Sequence, residues 1–436
     1  MDCCLQRRAW SFGLKAILGA GLAASAIGLS STRSSAADAA AVAPANDVKT
    51  LVAQLGDESF SIRESATNQL IRQGAAAKAE MLVAVKDPDA EVRSRARQVL
   101  ERIVAAERKR QLQAFRNDID GNEGVTLPGW AVFKKTVGDD PVARELFVKM
   151  QEAEPDLMEA LEQGPKQAAE VLEQRTRVAT ANLKREQAGL PSARGATPAM
   201  GSILAMLFVG GDPAVRLGDE AADLIIALPR SPEFRSAIAP SASPQREPCQ
   251  RLLGRWVARE LPDKYLTENL AFAVGYDLKE GIEPARRTLK QQAAVGPQAP
   301  QPAMARAGRT LQQQSSFGKF WSLVLIARFG GKDDLELIKP FLGDAQVYLD
   351  GASNNQPMQA QIRDAALAAT VQLSGQNPKE FGFERFQATD RVQLNAVMIA
   401  FHSEKERVAA FEKWQAWQNG KKQAAREKAE PKTSIE

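Results

Sequence analysis

Histidine, cysteine and tyrosine are scarce in this chain of 436 residues, which has one, three and three of them respectively. A lone histidine, His402, argues against His-dependent catalytic triads and zinc sites, which normally use more ligands of this kind. Cys3 and Cys4 lie at the extreme N-terminus, so Cys249 stands alone in the rest of the chain and no intramolecular disulfide is expected there. We expect Cys249 to be an exposed or partly buried thiol and not a nucleophile, because no histidine lies near it in sequence.

A large excess of charge of either sign is also lacking. Residues 1–36 hold four basic groups and one acid, and the remainder has 53 basic and 52 acidic groups. Because these charges nearly balance, the net charge gives no reason to expect binding to nucleic acid or to an anionic membrane. The pairs Gly210-Gly211 and Gly330-Gly331 lack the spacing and the following Lys-Ser/Thr of a phosphate-binding loop. No cofactor and no metal are expected.

The N-terminus has the three parts of an export signal. Arg7, Arg8 and Lys15 precede a short apolar stretch at 16–29, and small residues at 34–36 suit cleavage before Ala37. We predict a signal peptide at 1–36, a flexible lead-in at 37–46, and a periplasmic or extracellular protein that has no membrane insertion after cleavage. An uncleaved N-terminal anchor is the alternative. The arginine pair loosely resembles a twin-arginine signal but lacks the usual Phe-Leu, so the export route stays open.

Two segments, 51–70 and 81–100, align without gaps at a spacing of 30 residues, which indicates stacked helix-turn-helix units. The spacing of Ser61 and Glu64 predicts a capping box at the start of the second helix, with Gly74 as its stop. In the next unit Asp87-Pro88 predicts a cap followed by proline at the first helical position. The matching pairs are Asp57 and Asp87, Ile62 and Val92, Arg63 and Arg93, Ala66 and Ala96, and Leu70 and Leu100.

This pattern of a turn Asp, a helix Arg, then Ala and Leu resembles HEAT repeats. The resemblance implies that Asp57 with Arg63, and Asp87 with Arg93, form structural rungs between stacked units. Residues 361–375 (QIRDAALAATVQLSG) resemble the first repeat, and Arg363 matches Arg63. Together with GDDPVARELF and NLAFAVGYDLKEG, they make most of the chain similar to exported HEAT-repeat proteins of planctomycete-type bacteria. That likeness implies a fold and export but no activity.

The composition is rich in helix formers and shows no regularly spaced alternating strands, so we predict an all-α fold. The resemblance makes it a HEAT-like α-α superhelix with an irregular helical middle region and loop insertions. Whether that middle region joins the solenoid or forms a separate domain is open. The predicted segments after the lead-in are N-terminal repeats at 47–120, an irregular helical region at 121–295, a flexible linker at 296–316, a C-terminal repeat unit at 317–403, and a charged helix with a disordered tail at 404–436.

The C-terminal unit carries an insertion at 345–360 with a β-like run followed by Asp-Gly-Ala-Ser-Asn-Asn. We predict a hairpin or extended loop that leaves the helical stack, because insertions in repeat proteins often carry function. Its candidate partner-binding residues are Tyr348, Asp350, Asn354 and Asn355. The alternative is an inert loop that caps the end of the stack.

These observations favour a non-catalytic scaffold of the cell envelope that binds a protein or peptide on a helical-repeat surface. An accessory or assembly factor for an envelope enzyme is the second hypothesis. A carboxylate-dependent hydrolase is the third, although no carboxylate pair in the sequence points to it. The sequence leaves the partner and the oligomeric state unknown.

Overall fold

The computed structural model describes residues 47–119, 121, 124–190, 198–238, 243–295, 306–353, 355–386 and 396–429. The predicted signal peptide, the lead-in and residues 430–436 lie outside these ranges. Helices make up most of the described residues, and the sheet found there is one antiparallel hairpin. The all-α prediction is confirmed at this level.

The chain forms two compact units, and the first ends at Glu101. Its helices are α1 (Val48–Gln54), α2 (Phe60–Gln73), α3 (Ala75–Ala84) and the start of α4 (Ala90–Asn117). Gly74 ends α2 at a φ of 60°, a conformation that side chains disfavour, so the predicted stop is confirmed. The core of this unit is aliphatic and includes Leu51, Leu55, Ala66, Leu70, Met81, Ala96 and Val99.

The two repeats share one set of hydrogen bonds. Arg63 Nη1 donates to the carbonyl oxygens of Asp57 and Glu58 at 2.6 and 3.0 Å. Thirty residues later, Arg93 Nη1 donates to the carbonyl oxygens of Asp87 and Pro88 at 2.7 and 2.6 Å. In both repeats the turn Asp accepts the backbone N–H two residues on, through its Oδ1. Each arginine therefore satisfies the carbonyls of its own turn.

The structure corrects the predicted ladder of Asp–Arg rungs between repeats. The arginines bind backbone oxygens within their own repeat, and the ion pairs between the repeats join Arg63 to Glu91 at 3.3 Å and Arg95 to Glu64 at 3.5 Å. An aspartate whose Oδ1 already caps its own turn presents less of its carboxylate to the next unit.

Both predicted caps in this unit are also displaced. Helix α2 begins at Phe60, with Ser59 at the cap position, so the capping box expected from Ser61 is wrong. Helix α4 begins at Ala90, where Asp89 Oδ1 accepts the N–H of Glu91 at 2.7 Å in place of the Asp87-Pro88 cap. In each case the turn aspartate bonds inside the turn, and the helix starts after that turn.

Replacing Arg93 by Lys should destabilise the first unit by about 1–2 kcal/mol, because an ammonium cannot reproduce the guanidinium's contact with two carbonyls. Hydrogen exchange of peptides from residues 59–100 in the full chain measures the effect. Arg97→Lys, at an exposed position on the same helix, is the matched control. Equal protection in the two variants would show that the carbonyl contacts contribute nothing.

The second unit runs from Arg102 to the C-terminus. After the end of α4 its α-helices and strands follow in this order: α5 (Trp130–Val137), α6 (Pro141–Ala153), α7 (Pro155–Gln163), α8 (Pro165–Gln187), α9 (Met200–Gly210), α10 (Asp219–Ala227), α11 (Pro232–Ile238), α12 (Arg246–Ala258), α13 (Asp263–Gly275), α14 (Ile282–Val295), α15 (Arg306–Phe329), α16 (Leu335–Ile338), β1 (Val347–Ser353), β2 (Gln356–Gln361), α17 (Ile362–Leu373) and α18 (Glu404–Ala429).

Proline sets the start of several of these helices. α6, α7 and α8 each begin with proline, whose fixed φ and missing N–H suit the first helical position. The Asp140 carboxylate caps α6 by accepting the N–H groups of Val142 and Ala143, both at 3.0 Å. The chain therefore folds here as short helices joined by tight turns.

One hydrophobic cluster extends from Leu112 to Trp414. It includes residues of both the predicted middle region and the predicted C-terminal unit, so these two segments share a core. Near its N-terminal end Phe115, Trp130, Phe133 and Phe147 pack ring on ring, with centroids 4.9–5.9 Å apart.

Two predicted boundaries differ from the structure. Helix α15 already begins at Arg306, inside the segment predicted as a linker at 296–316, whose residues 296–305 lie outside the described ranges. Helix α18 continues to Ala429, so it takes up most of the segment predicted as a charged helix with a disordered tail at 404–436. Both stretches are rich in Ala, Gln, Arg and Lys, which form helices well.

Gly201 on α9 lies close against the backbone of α6. A Cβ at this position would lie 2.2 Å from the carbonyl oxygen of Lys149 on α6. Gly201→Ala should therefore destabilise the chain by about 3 kcal/mol, through forced separation of α6 and α9. Thermal and urea unfolding followed by circular dichroism measure the loss.

Gly275→Ala is the matched control, because a Cβ at Gly275, the last residue of α13, meets no atom within 4 Å. It should leave stability unchanged or raise it by up to ~1 kcal/mol. Equal stability of the two variants would contradict the close packing of α6 on α9.

Candidate functional site

The predicted insertion forms a hairpin. β1 and β2 pair antiparallel, with Asp350 opposite Gln359 and Ser353 opposite Gln356, and the register is irregular between Val347 and Leu349. Asn355 at the turn adopts a φ of 62°, a conformation that asparagine tolerates better than most residues. Asn355 thus suits the reversal of the chain.

The base of the hairpin is buried, contrary to the prediction that the insertion leaves the stack. Tyr348 is 6% exposed, and its ring stacks on Phe320 of α15 with centroids 4.3 Å apart. Burial raises the pKa of the Tyr348 phenol well above its usual value. Met358 and Ala360 on β2 are buried as well. Tyr348 is therefore a core residue and is unavailable to a partner.

A buried ion pair fixes the chain that leads into β1. Lys319 Nζ lies 2.7 Å from Asp344 Oδ2 and 3.0 Å from Gln346 Oε1, and Lys319 and Asp344 are almost fully buried. The other oxygen of Asp344 accepts the backbone N–H of Gln346 at 3.0 Å. Because loss of one partner would leave an uncompensated buried charge, the intact pair holds this segment firmly against α15.

A second buried pair fixes the chain that leaves β2. Arg407 Nε on α18 lies 2.8 Å from Asp364 Oδ1, and Asp364 Oδ2 accepts the backbone N–H of Gln361 at 2.8 Å. Arg407 also donates to the carbonyl oxygen of Gln359 at 3.1 Å and pairs with Glu404. Burial raises the pKa of Asp364 to about 6, although the Arg407 guanidinium opposes that shift.

Arg363 does not repeat the geometry of Arg63. Its Nε donates to Gln361 Oε1 at 2.6 Å and its Nη2 to Glu404 Oε1 at 2.7 Å. The guanidinium thus links β2 to α18, and the prediction that Arg363 forms a repeat rung is wrong. At Arg63 the partners are the carbonyl oxygens of a turn. Before Arg363 the strands of the hairpin stand in place of that turn and supply different partners.

His402 lies beside the hairpin, just before α18. The segment around it pairs with β2 through two backbone hydrogen bonds between Gln359 and Phe401, at 2.9 and 3.0 Å. The His402 ring nitrogens lie 2.9 Å from the Pro357 carbonyl oxygen and 2.7 Å from Arg385 Nη1. A carbonyl only accepts and a guanidinium only donates, so the ring is the Nδ1–H tautomer with both nitrogens engaged.

Local capping places His402 there. Ser403 Oγ accepts the N–H of Glu406 at 3.3 Å, and Glu406 Oε2 accepts the N–H of His402 at 3.0 Å. This Ser-x-x-Glu arrangement starts α18 at Glu404. Sequence reasoning treats His402 as a surface or helix-end residue. Its contact partners lie 17 and 45 residues away along the chain, where no local pattern could indicate them.

Two clefts adjoin His402 and share it with Phe401. The hairpin-side cleft has a volume of about 270 Å³ and is lined by Asp350, Pro357, Met358, Gln359, Phe401, His402, Ser403, Glu404 and Arg407. The α18-side cleft has a volume of about 260 Å³ and is lined by Gly382, Glu384, Arg385, Met398, Ala400, Phe401, His402, Glu406, Ala409, Ala410 and Lys413. We refer to them together as the His402 clefts.

The structure thus brings together part of the predicted site. Asn355 is exposed at the hairpin tip, and Asp350 is exposed midway along β1, where it lines the hairpin-side cleft. Asn354 lies outside the described residues. Sequence reasoning misses Lys319, Arg385 and Arg407, because each acts on a residue that is distant in the chain.

Two further side chains that could carry chemistry, Cys249 and Asp364, are buried. Cys249 is fully buried, deeper than expected, and burial raises the pKa of its thiol to about 12. Asp364 has no exposed surface and is bound to Arg407, so it cannot touch a substrate. Within the described ranges, His, Cys, Asp and Glu form no group of three that could hold a metal ion.

Comparison with known proteins found no matching family model, no similar curated protein and no similar solved structure. In the part of the chain that the structure describes, none of the helices has the length and apolar character needed to cross a bilayer.

The raised pKa of Asp364 predicts a pH-dependent stability. Between its ordinary value of 3.8 and about 6, the folded chain holds a proton that the unfolded chain has lost. The free energy of unfolding should therefore fall as the pH rises through this window, by on the order of 3 kcal/mol from this group. Urea unfolding at pH 4, 5, 6 and 7 measures the slope.

Asp364→Asn is the comparison variant, because asparagine does not titrate. Other carboxylates contribute equally to both proteins, so the difference between their two pH profiles isolates Asp364. Parallel profiles would show that the buried carboxyl ionises at the same pH in both states.

Proposed function

We propose that this chain is a non-catalytic binding or scaffold protein of the cell envelope. It holds a protein or peptide segment on the surface formed by the hairpin tip and the His402 clefts. The observation that carries this proposal is that a buried ion pair fixes each end of the hairpin while its tip faces solvent. A rigid, exposed element of this kind binds with little loss of conformational entropy.

The charges along the His402 clefts favour a basic partner segment. The exposed carboxylates that line them are Asp350, Glu384, Glu404 and Glu406, and the exposed cation of the lining is Lys413. Arg385 and Arg407 also line the clefts, but they are less exposed and donate to groups of this chain. Lysine or arginine side chains of a partner would complement this surface and would speed its association. A partner segment in extended conformation suits this surface, because the two small clefts lie on either side of the His402 ring.

The bonding of His402 supports a non-catalytic role. Its two ring nitrogens are held by Pro357 and Arg385, so neither is free to take a proton from a nucleophile. The same bonds keep the ring in place as the wall between the two clefts. In this proposal His402 therefore shapes the binding surface and takes no part in a reaction.

The proposal also includes the HEAT-like solenoid arrangement and export. The hydrogen bonds that Arg63 and Arg93 make in the same way, 30 residues apart, support a repeat architecture. The basic, apolar and small-residue parts of 1–36 support export and cleavage, which would place the partner in the periplasm or outside the cell.

A pull-down from the native envelope fraction with the chain lacking 1–36, followed by mass spectrometry, tests the proposal. We expect one stoichiometric protein partner, whose affinity falls at least tenfold when Asp350 and Glu384 are both changed to Lys. Deleting the whole hairpin is unsuitable, because it would remove Tyr348 and Ala360 from the core.

Glu233→Lys, which equals either single change of the pair in charge, is the control, since Glu233 is exposed on α11 and lines neither cleft. It should bind as the unchanged chain does. If the double variant also binds normally, the partner site lies elsewhere. Capture of an enzyme whose turnover depends on this chain would instead support an accessory factor.

A further inference from the structure

In the part of the chain that the structure describes, the hairpin has one open edge. There β1 pairs with β2 alone, so the far edge of β1 has no strand beside it. The far edge of β2 is occupied, because Gln359 exchanges two backbone hydrogen bonds with Phe401 and the Pro357 carbonyl oxygen lies 2.9 Å from His402 Nδ1. A strand that joins this sheet must therefore join it along β1.

The register shows which backbone groups of β1 face the open edge. Opposite residues in antiparallel strands alternate between pairs that bond to each other and pairs whose N–H and C=O groups point outward. Gln359 points outward to Phe401, so its opposite residue Asp350 also points away from β2. The alternation gives the same orientation to Ala352, whose opposite residue Pro357 has no N–H to share. Asp350 and Ala352 thus each present a donor and an acceptor, spaced as an added strand requires.

The open edge is accessible to a partner. Asp350, Gly351 and Ala352 are exposed, and no backbone group of another described element bonds to them. A Cβ at Gly351 would meet no atom within 4 Å, so a partner's side chain has room beside this residue. Unpaired N–H and C=O groups in a row are a template for a further strand, and proteins often protect such edges with proline or lysine. The stretch 349–353 contains neither residue.

Charge and side-chain alternation indicate which kind of strand fits. Asp350 and Ala352 share the solvent face of the hairpin, whereas Met358, opposite Gly351, is buried. A residue opposite Asp350 in an added strand would meet an exposed carboxylate, which favours lysine or arginine there. We propose that an extended segment of a protein partner adds to β1 as a strand, with a basic side chain beside Asp350. This binding mode rests on the proposed function and specifies how the partner is held.

Fluorescence anisotropy of the chain lacking 1–36 with the peptide fluorescein-Thr-Val-Lys-Val-Lys-Val-Thr-amide tests strand addition. We expect binding, with an affinity that falls at least tenfold in Ala352→Pro, because proline removes an outward N–H and leaves the bonds between β1 and β2. Ala352→Val keeps that N–H, so it is the matched control and should bind as the unchanged chain does. Asp350→Asn should lower the affinity about threefold.

Methylated peptides give a second test that leaves the chain unaltered, and they carry it if Ala352→Pro fails to fold. Alternate N–H groups of an added strand face β1, so methylation of the lysine nitrogens and methylation of the valine nitrogens block opposite edges of the peptide. One methylated peptide should lose binding, and the other should keep it. Equal affinities of the two would overturn strand addition.

The same variants in the envelope pull-down distinguish strand addition from the proposed function. If Ala352→Pro retains the partner that the double variant of Asp350 and Glu384 loses, strand addition is overturned and the proposed function stands. If no envelope partner is captured but the peptide binds at the edge, the proposed function alone is contradicted. Absence of peptide binding at the highest soluble concentration would overturn strand addition. A dimer of this chain that Ala352→Pro dissociates would overturn it equally, because the occupant would be a second copy.

Discussion

Arginine bonds to backbone carbonyls are the interaction on which this fold depends. Short helices joined by tight turns leave many carbonyl oxygens without intrahelical partners, and buried ones must be satisfied. A guanidinium presents five N–H groups in a rigid fork, so one side chain can satisfy two or three of these oxygens at once. The turns of the repeats, the end of α4, the end of α9 and strand β2 receive such bonds from Arg63, Arg93, Arg144, Arg259 and Arg407.

The same interaction shapes the proposed partner surface. Arg385 donates to the carbonyl oxygens of Val397 and Ala400 and to the His402 ring, so it holds the wall between the His402 clefts. Arg407 binds Asp364, Glu404 and the Gln359 carbonyl, and thereby joins β2 to α18. The bonds that stabilise this end of the molecule therefore also position the proposed partner surface, so a substitution that weakens these bonds affects both.

Local patterns predicted much of the fold. Helix composition, the 30-residue period and Gly74 are short-range features, and the structure contains each of them. At the hairpin turn, Asn355 suits the positive φ that the chain adopts there. The repeat arginines show the limit of this reasoning, because spacing gives the type of residue that lies nearby but does not say whether it bonds through its side chain or its backbone.

The candidate site was less accessible to prediction, because its contacts are long-range. Tyr348 stacks on a ring 28 positions earlier, and Asp364 meets its arginine 43 positions later. No periodicity connects such pairs, and the polar neighbours of Tyr348 alone predict an exposed loop. A tyrosine beside polar turn residues is ambiguous until the helix that packs on it is known.

The bonding of the hairpin surface limits how it could recognise a partner. At the hairpin the ring of His402 and the buried carboxylates have their partners within the chain, so recognition there depends on shape and on exposed charge. A partner would therefore add contacts to exposed groups and would not replace bonds that the chain already makes within itself.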